Sequence, residues 1–214
     1  NDDALGTAGV LEIARVLKAG PPLERSVVFA LWTAEESGLV GSRAYAVDPV
    51  YPLETTVANF TLDILQTAGA ARDVILVGEG QSSLEDDLAR VAAQQGRYLT
   101  PENLPENGLF YRADHFSLAR AGVPVLLLMG IAGGADLVEG GRAAGNQWIA
   151  DYVGNCYHKP CDAWSPDWDL TGAVQDIELF RVLLEDLGNS TRWPDWRAES
   201  EFRAVRESSA AARP

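Results

Sequence analysis

Val27-Val28-Phe29-Ala30-Leu31-Trp32-Thr33-Ala34-Glu35-Glu36 is an apolar run that ends in two adjacent acids. An apolar stretch of this length without alternation has the pattern of a strand buried on both faces, as in a parallel sheet covered by helices. Two carboxylates leaving such a strand sit at its C-terminal edge, where open α/β sheets keep their active sites. One can bind a metal while its neighbour handles a proton. A lone Glu-Glu in this place is usually a solvated loop. The company it keeps shifts the balance: Asn1-Asp2-Asp3 upstream, Leu62-Asp63 downstream, and His158 in Tyr157-His158-Lys159-Pro160.

Upstream of the run, Leu5, Val10, Leu11, Ile13, Ala14 and Leu17 recur at helical spacing. Asp2 or Asp3 is the N-cap, and Gly20-Pro21-Pro22 the stop. A helix opening so early reads as having lost the strand that fed it, so the chain is expected to be a piece of a longer protein. A targeting segment would belong to that upstream part. Downstream, residues 42–47 read as a short helix and residues 55–62 as a strand leading into Asp63. Residues 73–78 form a third strand, and Ser83 opens an amphipathic helix whose start, Ser83-Leu84-Glu85-Asp86, resembles a capping box. Residues 97–108 read as loop, Asp114 caps a short helix ending near Gly122, and residues 123–129 are a further strand. Residues 130–160 are Gly-rich and aperiodic, the mark of a long functional or mobile loop. Residues 170–187 are the last strong helix. The tail from Ser190, with Trp193, Trp196 and Phe202, is expected to pack back on the domain. Strands alternating with helices predict one α/β domain with a mainly parallel (mixed) sheet and helices on both faces.

With 214 residues, 47% hydrophobic and 22% charged, the chain can bury one sizeable core. It contains no run near the ~20 apolar residues of a membrane span. A net charge of −14 argues against nucleic acid or anionic membranes as partners and favours cations or neutral substrates. Cys156 and Cys161 bracket His158. With 2 Cys and 2 His in all, a zinc finger is excluded. Two readings stand for the pair: idle thiols, or a local disulfide clamping the His-bearing loop, which implies an oxidising compartment.

Each candidate ligand has a dull explanation when taken alone: a cap for Asp2, a turn for Asp63, a surface loop for His158. Together they form a donor set suited to Zn²⁺ or Mn²⁺ with positions open for water and substrate. Converging carboxylates repel one another, and a divalent cation is the usual remedy.

These stretches resemble the M28 zinc aminopeptidase family. Its pattern is matched in order by Asn1-Asp2-Asp3-Ala4-Leu5-Gly6, Ala34-Glu35-Glu36-Ser37-Gly38-Leu39-Val40-Gly41-Ser42 and Thr61-Leu62-Asp63. Ala113-Asp114-His115 and Tyr157-His158-Lys159-Pro160-Cys161-Asp162 complete it. The resemblance runs to about Leu187, and the Ala-Glu-Glu block with its Gly-Leu-x-Gly-Ser tail is its most specific part. It implies a three-layer zinc exopeptidase-like sandwich and a co-catalytic site for two Zn²⁺. Asp2 would bridge the ions, Glu36 and His158 would complete one, and Asp63 would serve the other. Glu35 would be the general base that takes a proton from the attacking water and returns it to the leaving amine. Asp114 would stand near Glu35 or the substrate amine, His115 would be structural, and Asp162 would orient the His158 loop. Tyr111, Arg112 and the loop after Gly130 would line the substrate pocket.

One departure matters. The family takes a further His, in a His-x-Asp motif, from a strand upstream of the Asp-Asp motif, and neither His115 nor His158 stands in that place. The resemblance therefore implies an N-terminally incomplete catalytic domain, residues 1–214, with residues 190–214 as a packing tail and the upstream part of the parent protein as partner. Such a chain is expected to bind one metal better than two and to have weak or no activity by itself. The parent is expected to be exported, to the periplasm or beyond, and to act on peptides. Competing readings are glutaminyl cyclisation, a carboxypeptidase variant using Arg112 for the terminal carboxylate, and a non-catalytic interaction domain on the same fold.

Overall fold

The computed structural model describes residues 1–213. The chain opens with α1 (Ala4–Ala19), capped by the Asp3 carboxylate, which accepts from the Gly6 N–H, and ended at Gly20. A turn at Glu35–Ser37 leads into α2 (Val40–Val47). Next come β1 (Asn59–Leu62), β2 (Asp73–Leu76), α3 (Leu84–Gln94), β3 (Tyr98–Pro101), α4 (His115–Arg120) and β4 (Val125–Leu128). Helices α5 (Gly141–Asn155), α6 (Thr171–Gly188) and α7 (Arg203–Ser208) complete the chain.

Both strand pairs are parallel. β1 pairs with β4 from Asn59↔Val125 to Leu62↔Leu128, and β2 with β3 from Asp73↔Tyr98 to Leu76↔Pro101. β2 also packs beside β4. Strand alternation divides the core between two faces. Leu126 and Leu128 of β4, with Val74 and Leu76 of β2, face Ile13 of α1, Leu88 of α3 and Phe180 of α6. Val125 and Leu127, with Ile75, face Phe110, Leu118 of α4, Trp196 and Phe202. Helices on both sides of parallel strands give the three layers that the sequence predicts. Burying one such Leu contributes about 1.5–3 kcal/mol.

The structure departs from the sequence reading in four places. Residues 25–33 are extended but belong to no strand among the described residues. Val28, Phe29 and Leu31 are 52%, 41% and 56% exposed, because no neighbouring strand accepts their backbone. Within the supposed loop 97–108 lies β3, which forms because β2 offers an edge; Pro101 sits at its last position, where a missing N–H is harmless. The aperiodic segment 130–160 contains α5, 15 residues long. Its Gly145 packs onto the Ala135 backbone so closely that a Cβ would lie 2.1 Å from the Ala135 carbonyl oxygen. The glycines that obscured the helix are thus a condition of its packing. Finally, Ser83 holds the N-cap position of α3 but makes no side-chain cap bond, and the Glu85 carboxylate instead braces the preceding turn, accepting from the N–H groups of Gly80, Gln81 and Ser82.

The C-terminal residues pack on the second face. Trp196 donates its indole N–H to the Gly122 carbonyl, and buried Arg206 donates to the carbonyls of Thr56 and Val57.

Candidate metal centre

Four separate elements converge at the C-terminal ends of β1 and β4. Asp2 and Asp3 stand at the N-terminus of α1, where the helix dipole favours negative charge. α1 comes close to the end of β1 because residue 6 is glycine: a Cβ there would lie 2.8 Å from the Leu62 carbonyl oxygen. Asp63 follows β1 directly, and its carboxylate accepts from the Ile64 N–H at 2.7 Å. Glu35 and Glu36 occupy a single 3₁₀ turn after Ala34, whose φ is +55°. His158 lies in the link between α5 and α6 with φ +58°. Left-handed backbone at a non-glycine residue costs of order 1–3 kcal/mol and collects at functional sites. A Cys156–Cys161 disulfide spans the His158 turn.

His158 Nε2 lies 3.2 Å from Asp2 Oδ2 and 3.0 Å from Glu36 Oε1. Ligand atoms of these three residues all fall within 4.8 Å of one another. One imidazole and two carboxylates at such spacing match the donor types and number of a three-ligand zinc seat. The Tyr157 ring lies 3.8 Å from the His158 ring, centroid to centroid, and restrains it. Asp63, Glu35 and Asp114 line the same groove but stand outside that triplet.

The carboxylates hold their protons unusually well. Crowding by protein, then the charges of Asp63 and Asp2, push Asp3 up to about 8. Burial, then Asp63 and Glu36, push Glu35 up to about 7. Burial raises Asp63 to about 6, with Asp2 adding to the rise. Asp2 is raised by burial and then by Glu36. So many acids in one place are costly as anions, and a cation bound among them would relieve the repulsion.

Other residues singled out in the sequence fall as follows. Asp114 is buried, accepts from Ser42 Oγ at 2.5 Å, and is raised by burial. His115 is fully buried and edge-on to Phe110; burial lowers it to about 3, so it is a neutral core residue. Asp162 accepts from the Asn1 ammonium, the Asp2 N–H and the Tyr152 hydroxyl, each at 2.9 Å. It therefore grips the Asp2 segment as well as the His158 loop. Burial would raise its pKa, but those hydrogen bonds and the ammonium charge outweigh that and hold it low. Arg112 lines the groove. Tyr111 does not: it is 44% exposed and donates to Glu201 at 2.9 Å. The sequence reading treated Asp3 only as a cap, and its adjacency to Asp2 was the available signal. Ser42, which hydrogen-bonds Asp114, stands in the Glu-Glu block but was given no role there, and Ser117, which meets Ser42, carried no signal.

Fold and site together define an α/β protein with a carboxylate–imidazole cluster of metal-binding type at the strand ends. Residues 1–181 match the model of peptidase family M28. The chain belongs to that metal-dependent peptidase family. It is 28% identical over 168 residues to leupeptin-inactivating enzyme 1 of Streptomyces exfoliatus, covering 76% of this chain and 36% of that protein. It is 36% identical over 99 residues to aminopeptidase YwaD of Bacillus subtilis, covering 44% and 21%. To the probable lipoprotein aminopeptidase LpqL of Mycobacterium tuberculosis it is 29% identical over 139 residues, covering 58% and 27%. The chain thus aligns with between 21% and 36% of the length of these relatives.

Proposed function

We propose that residues 1–214, with residues 190–214 as a packed tail, form the catalytic part of a metal-dependent exopeptidase that removes N-terminal residues from peptides. The observation that carries this reading is the meeting of Asp2, Glu36 and His158 within 4.8 Å, with Glu35 adjacent to Glu36 in sequence. The three would hold one Zn²⁺; Asp2 and Asp63 would offer a second, weaker seat. A bound divalent ion supplies polarisation of the scissile carbonyl and acidification of water. Glu35, half-buried beside the groove, would accept the proton of the attacking water and return it to the leaving amine. Asp162 fixes Asp2 through its backbone N–H. Asp114, anchored by Ser42, holds negative charge or a proton beside the groove, where a substrate amine would lie.

In the zinc-loaded whole protein, Glu35→Gln is expected to lower turnover of an aminoacyl-nitroanilide by about 10²–10⁴-fold, with bound zinc unchanged. Equal turnover by both proteins would overturn the reading. Residues 1–214 alone are expected to hold one ion more tightly than a second, with weak or no turnover. Arg112, which makes no ion pair among the described residues, favours a carboxypeptidase as the second reading. Cleavage of an N-acetylated peptide from its free C-terminus would select it, and conversion of an N-terminal Gln peptide would select a cyclase. Export of the whole protein is supported by the disulfide and by the lipoprotein named among the relatives.

A further inference from the structure

α5 carries two aromatic residues one turn apart, Trp148 and Tyr152, whose rings stack at 5.5 Å with their planes 4° apart. Residues at this spacing share one face of a helix. The helix beneath them is firmly seated. Arg142 in its first turn pairs at 2.6 Å with the buried Asp73 of β2, and Gly145 packs on the Ala135 backbone. Trp148 donates its indole N–H to Thr67 Oγ1 at 3.1 Å, shortly beyond Asp63 in the chain.

Tyr152 reaches the metal-binding triplet along two routes. Its hydroxyl donates to Asp162 Oδ2 at 2.9 Å, and the same oxygen accepts from the Asp2 N–H at 2.9 Å. On the other side, the Tyr152 carbonyl accepts from the N–H groups of Cys156 and Tyr157, each at 2.9 Å. Its ring lies 5.9 Å from the Tyr157 ring, which in turn lies 3.8 Å from that of His158. Asp2 precedes α1 and His158 follows α5, yet both are held by way of one side chain on one anchored helix. Burial, then the bond to Asp162, raises the Tyr152 hydroxyl well above the ordinary phenol value, so near neutral pH it stays a donor.

We propose that Tyr152 is a positioning residue that fixes the spacing between the Asp2 carboxylate and the His158 imidazole, and so sets how tightly Asp2, Glu36 and His158 hold a divalent cation. The inference deepens the reading of that triplet as a zinc seat and rests on it. Ligand atoms have to be held within about 0.5 Å of their working positions. Loss of an outer hydrogen-bond partner typically costs about 10–100-fold in metal affinity. Without the phenol, Asp162 Oδ2 keeps only the Asp2 N–H among the described residues, and the carboxylate is free to turn and take the Asp2 segment with it.

The test is zinc calorimetry on residues 1–214 and on Tyr152→Phe, which keeps the ring, its stacking and the backbone carbonyl and removes only the hydroxyl. The variant is expected to bind its tighter ion about tenfold or more weakly. The visible absorption of bound Co²⁺, which reports ligand geometry, is expected to change with it. Tyr98→Phe removes a Tyr–Asp hydrogen bond on β3, to Asp136, and should leave affinity and spectrum as they are. In an Asp162→Ala background, Tyr152→Phe should cost little more, because the route through Asp162 is already cut. Unchanged affinity and spectrum in Tyr152→Phe would overturn the inference, as would equal losses in Tyr98→Phe or a full additional loss in the Asp162→Ala background. Zinc binding that depends on His158 but not on Tyr152 would sink this inference alone. No zinc uptake by the unchanged chain would sink it together with the zinc seat.

Discussion

β4 and residues 26–32 are alike in composition, Val-Leu-Leu-Leu in one and Ser-Val-Val-Phe-Ala-Leu-Trp in the other, but not in surroundings. Val125, Leu126, Leu127 and Leu128 are each 2–4% exposed, whereas Val28 and Leu31 are 52% and 56% exposed. β4 has β1 bonded to one edge, β2 beside the other, and a helical layer on each face. Residues 26–32 have an empty groove where β4 has a neighbour. An apolar run records which surface is suited to burial; whether it is buried depends on partners contributed by other parts of the chain.

The largest contrast should appear in stability. Leu127→Ala is expected to lower the unfolding free energy by about 2–5 kcal/mol, and Leu31→Ala to stay within about 0.5 kcal/mol, by urea denaturation. Equal losses would mean that residues 26–32 are packed in solution and would break the comparison.

Metal binding bears on the same segment, because Glu36 follows it. At a hundred times its dissociation constant, Zn²⁺ should stabilise the chain by about 2.7 kcal/mol. His158→Ala should remove most of that gain, read as melting temperature with and without chelator. A gain of the same size in the variant would separate the Glu36 turn from the metal.

Reduction of the Cys156–Cys161 bridge, which closes a short loop, should cost no more than about 2 kcal/mol in chain entropy. Its clearer effect should be weaker zinc binding, measured by calorimetry, since the loop carries His158. Unchanged zinc affinity after reduction would leave the clamp without a part in the site.

Metal-free stability should also depend on pH. Asp3, Glu35 and Asp63 keep protons to about 8, 7 and 6 in the folded chain, while unfolded carboxyls lose theirs near 4. Over that window the folded state binds more protons than the unfolded. Metal-free stability is therefore full below about pH 4 and falls as pH rises through 8. Melting temperatures in chelator should drop between about pH 5 and pH 8, and saturating zinc should flatten the drop. A rise in chelator would mean that the carboxylates are apart in solution.

Much of this was legible beforehand for identifiable reasons. α1, α3 and α6 carry strong apolar periodicity. β4 is too apolar and too short to be anything but a buried strand. Asp2, Glu36 and His158 were legible through their motifs. α5 was not, because its glycines serve close packing against Ala135 and erase the helical pattern. β3 was not, because its only strand-forming force is the edge of β2. Tyr111 was misplaced because its pairing with Glu201 spans 90 residues.

By itself, the sequence determined where α1, α3, α6 and β4 lie and which acidic and imidazole side chains belong to the candidate site, since these follow from local spacing and residue type. Only the tertiary structure decided that a carboxylate at the start of α1, another after residues 26–32, and an imidazole beyond α5 come within ligand distance of one another. It also decided that residues 26–32, apolar as they are, lie beside a groove instead of in a sheet. Proximity and strand pairing depend on distant neighbours, and no local pattern encodes them.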